Sequence, residues 1–211
     1  NGFARLGEWA PHARALGGAG VALANQNGSW YLNPALLPTE RLSGSIDFAS
    51  DAFGGRSALL CGNYRMATLP QTVALRVVAG MSRLGTVDER NELNQLTGKS
   101  HSPQSILFAT GLAWHFNGFE IGHTVGLATD RITDEDETAL GFWLDMGIRY
   151  QISRRASAAA ALRRYGRRIN SYIDQGDSSG QLPAEIVLGA AWIDDPRGKW
   201  RLATDWIARA Y

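Results

Sequence analysis

Cysteine is almost absent from this sequence, since Cys61 is the only one among 211 residues. One cysteine cannot form an internal disulfide, and it excludes a cluster of cysteines around a metal. Charged residues are also scarce, at 19% of the chain, whereas soluble proteins average about 25%. The net charge is +1, so we expect no bulk attraction to nucleic acid and predict no nucleic-acid partner.

Long apolar runs and recognisable catalytic motifs are missing as well. No run of about 18 apolar residues is present, which excludes a transmembrane helix. The four histidines are scattered, Ser29 lacks the second glycine of a nucleophile elbow, and the acidic run 134–137 lacks the alternating ligand spacing of a calcium loop. We therefore predict no catalytic residue, no metal site and no cofactor, and we do not expect an enzyme.

Glycine and tryptophan are abundant, with 24 and 7 residues, a composition that suits barrels better than helical bundles. From Ser43 onward the hydrophobic pattern has a period of two. It is clearest in residues 140–150, where large apolar side chains alternate with small or polar ones: Leu140, Phe142, Leu144, Met146, Ile148 and Tyr150. A soluble sandwich turns such an apolar face inward, whereas a membrane barrel turns it toward lipid.

The length of the strands and of their connections favours the membrane barrel. The pattern predicts nine strands: 43–50, 56–66, 71–84, 103–116, 119–129, 138–152, 156–166, 184–194 and 199–211. Most exceed the ~5–6 residues typical of globular strands and reach the ~9–11 that a membrane strand needs. Short connections, including the hairpin signal Asn117-Gly118, alternate with others that include the long loops 85–102 and 167–183. This alternation is typical of antiparallel outer-membrane barrels, so we predict an all-β chain located in the bacterial outer membrane.

A Gly-rich stretch precedes the strands. It reads Ala-Arg-Ala-Leu-Gly-Gly-Ala-Gly-Val-Ala-Leu-Ala over residues 13–24, and Asn-Pro-Ala follows at 33–35. Glycines here allow positive φ and close backbone approach, while the proline favours a turn. These residues resemble the start of the FadL-like outer-membrane barrels, and most closely the branch that contains PorV of type IX secretion.

The resemblance implies a hatch inside the barrel, over residues 1–42, and barrel strands over 43–211. The predicted hatch residues are Gly17, Gly18, Gly20, Asn33, Pro34 and Ala35. We expect the segment to pack on small inward residues, namely Gly80, Gly111, Gly122, Gly141 and Gly147. Barrels of this family usually have fourteen strands, whereas this sequence predicts an odd nine. Three explanations stay open: the chain covers an incomplete part of such a barrel, a strand lies hidden in 85–102 or 167–183, or another chain closes the sheet.

The resemblance also implies two functions, and a third is compatible with the pattern. A PorV-like protein would take part in protein export or surface assembly with a protein partner in a membrane complex. A FadL-like protein would be a channel for hydrophobic small molecules. A soluble β-rich binding domain is the third alternative.

Two groups of polar residues are candidate site residues. The inward parity predicts that the first group lines the lumen: Arg65, Arg76, Glu120, Asp145, Arg149, Glu185, Arg201 and Asp205. These side chains would form either a paired polar filling or the lining of a passage. The second group is expected at the outer end of a hairpin: Arg163, Arg164, Arg167 and Arg168. Its arginines would either be solvated or contact lipopolysaccharide phosphates. The barrel as a whole is expected to contact outer-membrane lipid.

Overall fold

The computed structural model describes residues 20–23, 32–38, 40–50, 54–68, 71–91, 93–131, 138–168, 184–193 and 201–210. Throughout this part the regular structure is β-strand, and no helix occurs among these residues. The eleven strands are β1 Leu42–Ser50, β2 Arg56–Thr68, β3 Gln71–Arg83, β4 Val87–Arg90, β5 Leu96–His101, β6 Gln104–Phe116, β7 Phe119–Arg131, β8 Ala139–Gln151, β9 Ala156–Arg168, β10 Ala184–Ile193 and β11 Arg201–Ala210.

Nine of these strands form one antiparallel sheet in the order β1-β2-β3-β6-β7-β8-β9-β10-β11. Each strand pairs with its neighbours through consecutive hairpins, apart from the excursion between β3 and β6. This confirms the prediction of an antiparallel all-β chain with nine long strands. β1 and β11 are the two edges, and the described strands do not close into a barrel.

The excursion between β3 and β6 contains β4 and β5, a separate two-stranded ribbon. It occupies the predicted loop 85–102, so this loop does conceal strands, although they do not join the main sheet. The turn is organised by Asn91, whose side-chain Oδ1 accepts hydrogen bonds from the backbone N–H groups of Leu93 and Gln95 at 3.0 and 2.9 Å. At the tip, Leu93 is 77% exposed.

The hairpin at Asn117-Gly118 forms as predicted. Both residues have positive φ, at 48° and 82°, the conformation that a two-residue turn of this kind requires. Register follows directly, because Phe116 pairs with Phe119 and the ladder continues to Gln104 opposite Arg131. A one-residue slip would exchange the two faces of the sheet, so this turn helps to fix which side chains point where.

The two faces of the sheet differ in chemistry. One, which we call the apolar face, exposes large hydrophobic side chains on every long strand from β1 to β11, and on β8 they are those predicted from the period of two. Representative examples are Phe48, Leu60, Met81, Phe108, Leu127, Phe142, Ile148, Leu188 and Trp206. The other, which we call the segment face, carries small, polar and charged side chains and is contacted by residues 20–23 and 32–38. Across one half of the segment face lies an apolar cluster: Leu59, Cys61, Val78, Leu107, Ala109, Ala128 and Trp143.

A β-bulge interrupts the period of two between β8 and β9. Leu144 pairs with Tyr165 and Met146 with Leu162, so Arg163 and Arg164 together face the single residue Asp145. Arg164 has a φ of 59°, and its backbone N–H donates to Asp145 Oδ1 at 2.5 Å. A bulge places two successive residues on one side of a sheet, and here it directs both arginines to the segment face.

Candidate functional site

Two short turns lie on the segment face, and together they make up the part of the predicted hatch that the structure describes. We call residues 20–23 and 32–38 the N-terminal segment. In the first turn the Leu23 N–H donates to the Gly20 carbonyl at 3.0 Å, and in the second the Leu36 N–H donates to the Asn33 carbonyl at 3.1 Å. Gly20 has a φ of 147°, which explains glycine at that position. Gly17 and Gly18 lie outside the described residues.

Glycines in the sheet leave room for this segment. A Cβ on Gly122 would lie 2.6 Å from the Pro34 carbonyl carbon and 2.8 Å from Ala35 Cα. A Cβ on Gly147 would overlap the Asn33 side chain, and one on Gly189 would overlap Val21. The segment therefore contacts strand backbone directly. Of the expected contacts, Gly122 and Gly147 are as predicted.

Other glycines of the predicted set serve different neighbours. A Cβ on Gly80 would meet Leu59 and Leu107, and one on Gly111 would meet backbone and side chain of the adjacent strand β7. The expectation that Gly80 and Gly111 pack on the described part of the N-terminal segment is therefore wrong. The side chains of Leu59 and Leu107 fill the space at Gly80, and strand β7 fills it at Gly111. Gly189 was missed, although its position between Leu188 and Ala190 gives the same small inward parity.

Two arginines bind the second turn of the segment through its carbonyl groups. Arg76 is 4% exposed; its Nη2 donates to the Leu36 carbonyl at 2.8 Å and its Nη1 to the Pro34 carbonyl at 3.4 Å. Its Nε donates to Asn63 Oδ1 at 2.8 Å, which orients the guanidinium. Arg65 Nη1 reaches the Pro38 carbonyl at 3.2 Å.

The first turn is bound by β8 and β9. Arg149 Nε and Ser157 Oγ both donate to the Ala22 carbonyl, at 2.8 and 2.9 Å. Arg149 Nη1 is also paired with Glu120 Oε1 at 2.9 Å, and His115 Nδ1 lies 4.0 Å from the same oxygen. Glu120 therefore orients the guanidinium of Arg149, which binds the segment.

Asp205 and Asn33 complete the attachment. Asp205 Oδ2 accepts hydrogen bonds from the backbone N–H groups of Gly20 and Val21 at 2.8 and 3.1 Å. The Asn33 side chain joins the two turns, because Nδ2 donates to the Val21 carbonyl at 3.0 Å and Oδ1 accepts from the Ala35 N–H at 2.9 Å. Nδ2 also reaches the Ile148 carbonyl at 3.2 Å, which ties the segment to β8.

A second polar cluster surrounds Glu185 and does not contact the segment. Glu185 is 3% exposed, and its carboxylate receives Arg163 Nη2 at 2.8 Å, Arg164 Nη2 at 2.5 Å and Arg209 Nε at 3.0 Å. Asp145 Oδ2 accepts from Trp143 Nε1 at 3.2 Å. The cluster ties β8, β9, β10 and β11 together on the segment face.

This pairing changes the interpretation of the arginine cluster. Arg163 and Arg164 are not solvated, because the bulge turns both toward buried Glu185, with which they form ion pairs. The expected lipopolysaccharide contact stays a prediction for Arg167 and Arg168, whose side chains lie outside the described residues. The side chain of Arg201 also lies outside them, so its inward position stays a prediction.

The predicted inward residues therefore divide by role. One set binds the backbone of the segment: Arg65, Arg76, Arg149 and Asp205. The other set pairs with groups of the sheet itself: Glu120, Asp145 and Glu185. Each of these seven side chains has a polar partner among the described residues, as a paired polar filling predicts. Ser157 and Asn63 were not predicted; both share the inward parity, but an uncharged side chain at such a position gives no signal that separates it from its neighbours.

Neither a metal centre nor a helical membrane anchor was found in the described ranges. These residues include no group of three or more His, Cys, Asp or Glu that could hold a metal ion. Across the same ranges, no helix is long and apolar enough to cross a membrane. Comparison of the chain with protein-family models, curated proteins and solved structures found no match.

Proposed function

We propose that this chain forms the wall of an outer-membrane β-barrel, with the N-terminal segment as its plug, and acts in protein export or surface assembly with a protein partner. The observation that carries the proposal is the apolar face. Nine neighbouring strands expose large hydrophobic side chains on one side, such as Phe108 at 50%, Leu127 at 49% and Trp206 at 77%. So large an apolar surface requires a covering of lipid or protein.

Strand length supports a lipid covering. β2, β3, β6, β7, β8 and β9 each have 13 residues, above the ~9–11 that cross a bilayer when tilted. The opposite face carries buried charged side chains beside its apolar cluster and is contacted by the segment, whereas in a soluble sandwich the large apolar faces of two sheets meet each other. The FadL-like resemblance of residues 13–35 points in the same direction.

The β4–β5 ribbon supports a protein partner. It connects the end of β3 to the start of β6, and it exposes Leu93 and Leu96 at 77% and 59%. Its exposed position suits a contact site for a partner outside the membrane.

A channel for hydrophobic small molecules is the second candidate, because the segment face also carries an apolar cluster. Leu59, Val78, Leu107 and Trp143 lie together there, and pockets for apolar ligands are predominantly apolar. An elongated ligand bound against Trp143, with no protein co-purifying, would favour this function over export.

The experiment has two parts. Density-gradient fractionation of cells tests localisation, and recovery of the chain in the soluble fraction would contradict the proposal. A photo-crosslinking residue at Leu93 then tests partnership, with the same residue at exposed Ser153, in the turn between β8 and β9 at the opposite end of the strands, as the matched control. We expect a discrete adduct from position 93 only. Equal adducts from both positions would contradict the assignment of the ribbon, and quenching of Trp143 by a fluorescent fatty acid would favour the second candidate.

A further inference from the structure

The hydrogen bonds between the nine-stranded sheet, which we call the wall, and the N-terminal segment are unevenly divided between main chain and side chains. Among the described residues, wall side chains make seven hydrogen bonds to segment backbone, and they come from five residues: Arg65, Arg76, Arg149, Ser157 and Asp205. In the other direction, a single hydrogen bond runs from a segment side chain to the wall, that of Asn33 to the Ile148 carbonyl. The wall recognises main chain far more than it recognises side chains.

The shape of the wall also limits the segment, through segment backbone at Gly122 and through the side chains of Asn33 and Val21 at Gly147 and Gly189. At Gly122, Gly147 and Gly189 the strand backbone approaches so closely that a Cβ would overlap the segment. Between these points, Val21 rests on Ala161 and Val187, and Leu23 lies in a cluster with Ala22 and Ala191. Such a surface accepts small and medium side chains on a turn-forming backbone and excludes bulky ones.

The wall also has unused acceptor capacity. Asp205 Oδ1 and Glu120 Oε2 are buried, and neither has a hydrogen-bond partner within the described part of the chain. A buried carboxylate oxygen without a donor is unfavourable, so both atoms could accept further N–H groups from a differently seated backbone.

We infer that the segment face is a binding site for peptide main chain, which the chain's own N-terminal segment occupies as an internal ligand. The external ligand that this site takes is a peptide rich in small residues with an Asn-Pro type turn, which binds when the N-terminal segment leaves. The inference goes beyond the proposed function, because it stands on these hydrogen bonds and holds with or without a role in export.

The test uses the purified full chain in detergent and a fluorescent synthetic peptide of residues 18–38. Two variants weaken the segment and leave the wall intact. Asn33→Ala removes the bridge between the turns, and Val21→Asp places a carboxylate against Asp205. A cysteine in place of buried Leu36 reports by its maleimide reactivity whether the segment has left. We expect the peptide to bind the released variants at least about tenfold more tightly than it binds the wild type, whose site is occupied.

A double-mutant cycle shows whether main chain is what the site reads. Methylating the peptide nitrogen of Val21 removes one donor to Asp205 and leaves the side chain unchanged, and Asp205→Ala in the released protein removes the acceptor. The methylation should weaken binding about tenfold and Asp205→Ala by more, because Asp205 accepts from both Gly20 and Val21; the two together should weaken it little more than Asp205→Ala alone. Independent, multiplying effects would overturn the inference. So would a released segment with no peptide binding, or a thiol introduced by Leu36→Cys that stays unreactive in both variants.

Discussion

Replacing Gly122 by alanine should displace the N-terminal segment. The added Cβ would lie 2.6 Å from the Pro34 carbonyl carbon and 2.8 Å from Ala35 Cα, whereas carbon atoms separate by about 3.5–4.0 Å at optimal contact. Because both contacts are backbone, no side-chain rotation relieves them. The turn must retreat by about 1 Å at this point.

This movement of the turn lengthens the hydrogen bonds of Arg76 as well as changing the packing. Its hydrogen bond to the Leu36 carbonyl is 2.8 Å long and that to the Pro34 carbonyl is 3.4 Å, so the same movement takes both toward or beyond the limit of a useful bond. Overpacking of this kind lowers the free energy of unfolding by about 1–3 kcal/mol, unless the segment leaves the wall and relieves the clash.

Gly62→Ala is the matched control. Gly62 is also a strand glycine, but a Cβ there has no atom within 4 Å, so its free energy of unfolding should stay within about 0.5 kcal/mol of wild type. Urea unfolding in lipid vesicles, followed by tryptophan fluorescence, measures the energy. Maleimide reactivity of Leu36→Cys measures release, with buried Cys61 as an unreactive reference. If Gly122→Ala matches Gly62→Ala in both assays, the close approach of segment and strand is wrong.

Three further predictions concern the apolar face, the buried carboxylate and the topology. Leu144→Arg on the apolar face should lower stability in lipid by about 2–4 kcal/mol if that position lies at mid-bilayer, while Leu144→Phe should not; equal folding of both variants would remove the lipid-facing assignment. Glu185→Gln leaves Arg163 and Arg164 without their carboxylate and should lower stability by about 3–5 kcal/mol, against less than 1 kcal/mol for Glu89→Gln in the exposed ribbon, as measured by urea unfolding. A cysteine at Leu93 should react with an impermeant reagent in intact cells and one at Asn117 only after the outer membrane is opened; the reverse pattern would invert the topology.

Much of the sheet could be predicted because period-two alternation and turn residues are local signals. The strand β8 was anticipated as 138–152 and is Ala139–Gln151, and the Asn117-Gly118 turn fixes the adjoining register. Inward parity likewise identified Arg76 and Asp205 before any contact was known. Backbone approach at Gly122 followed from the same parity.

The remaining features depend on tertiary structure. No glycine or asparagine marks the bulge at Arg163 and Arg164, so a strict alternation could not reveal that both face Glu185. The β4–β5 ribbon alternates weakly because both of its faces are exposed, and its turn depends on the side chain of Asn91. Which inward residues bind the segment and which pair with one another depends on strand neighbours that no local pattern specifies.

The attachment of Gly20 to Asp205 joins positions 185 residues apart in sequence. Arg149 and Ser157 add partners 127 and 135 residues away from Ala22. These groups converge only after β8, β9 and β11 have paired, and contacts of such high sequence separation form late because loop closure must precede them. We therefore expect the described turns of the N-terminal segment to dock only after β8, β9 and β11 have paired, because the groups that bind Gly20 and Ala22 lie on those three strands.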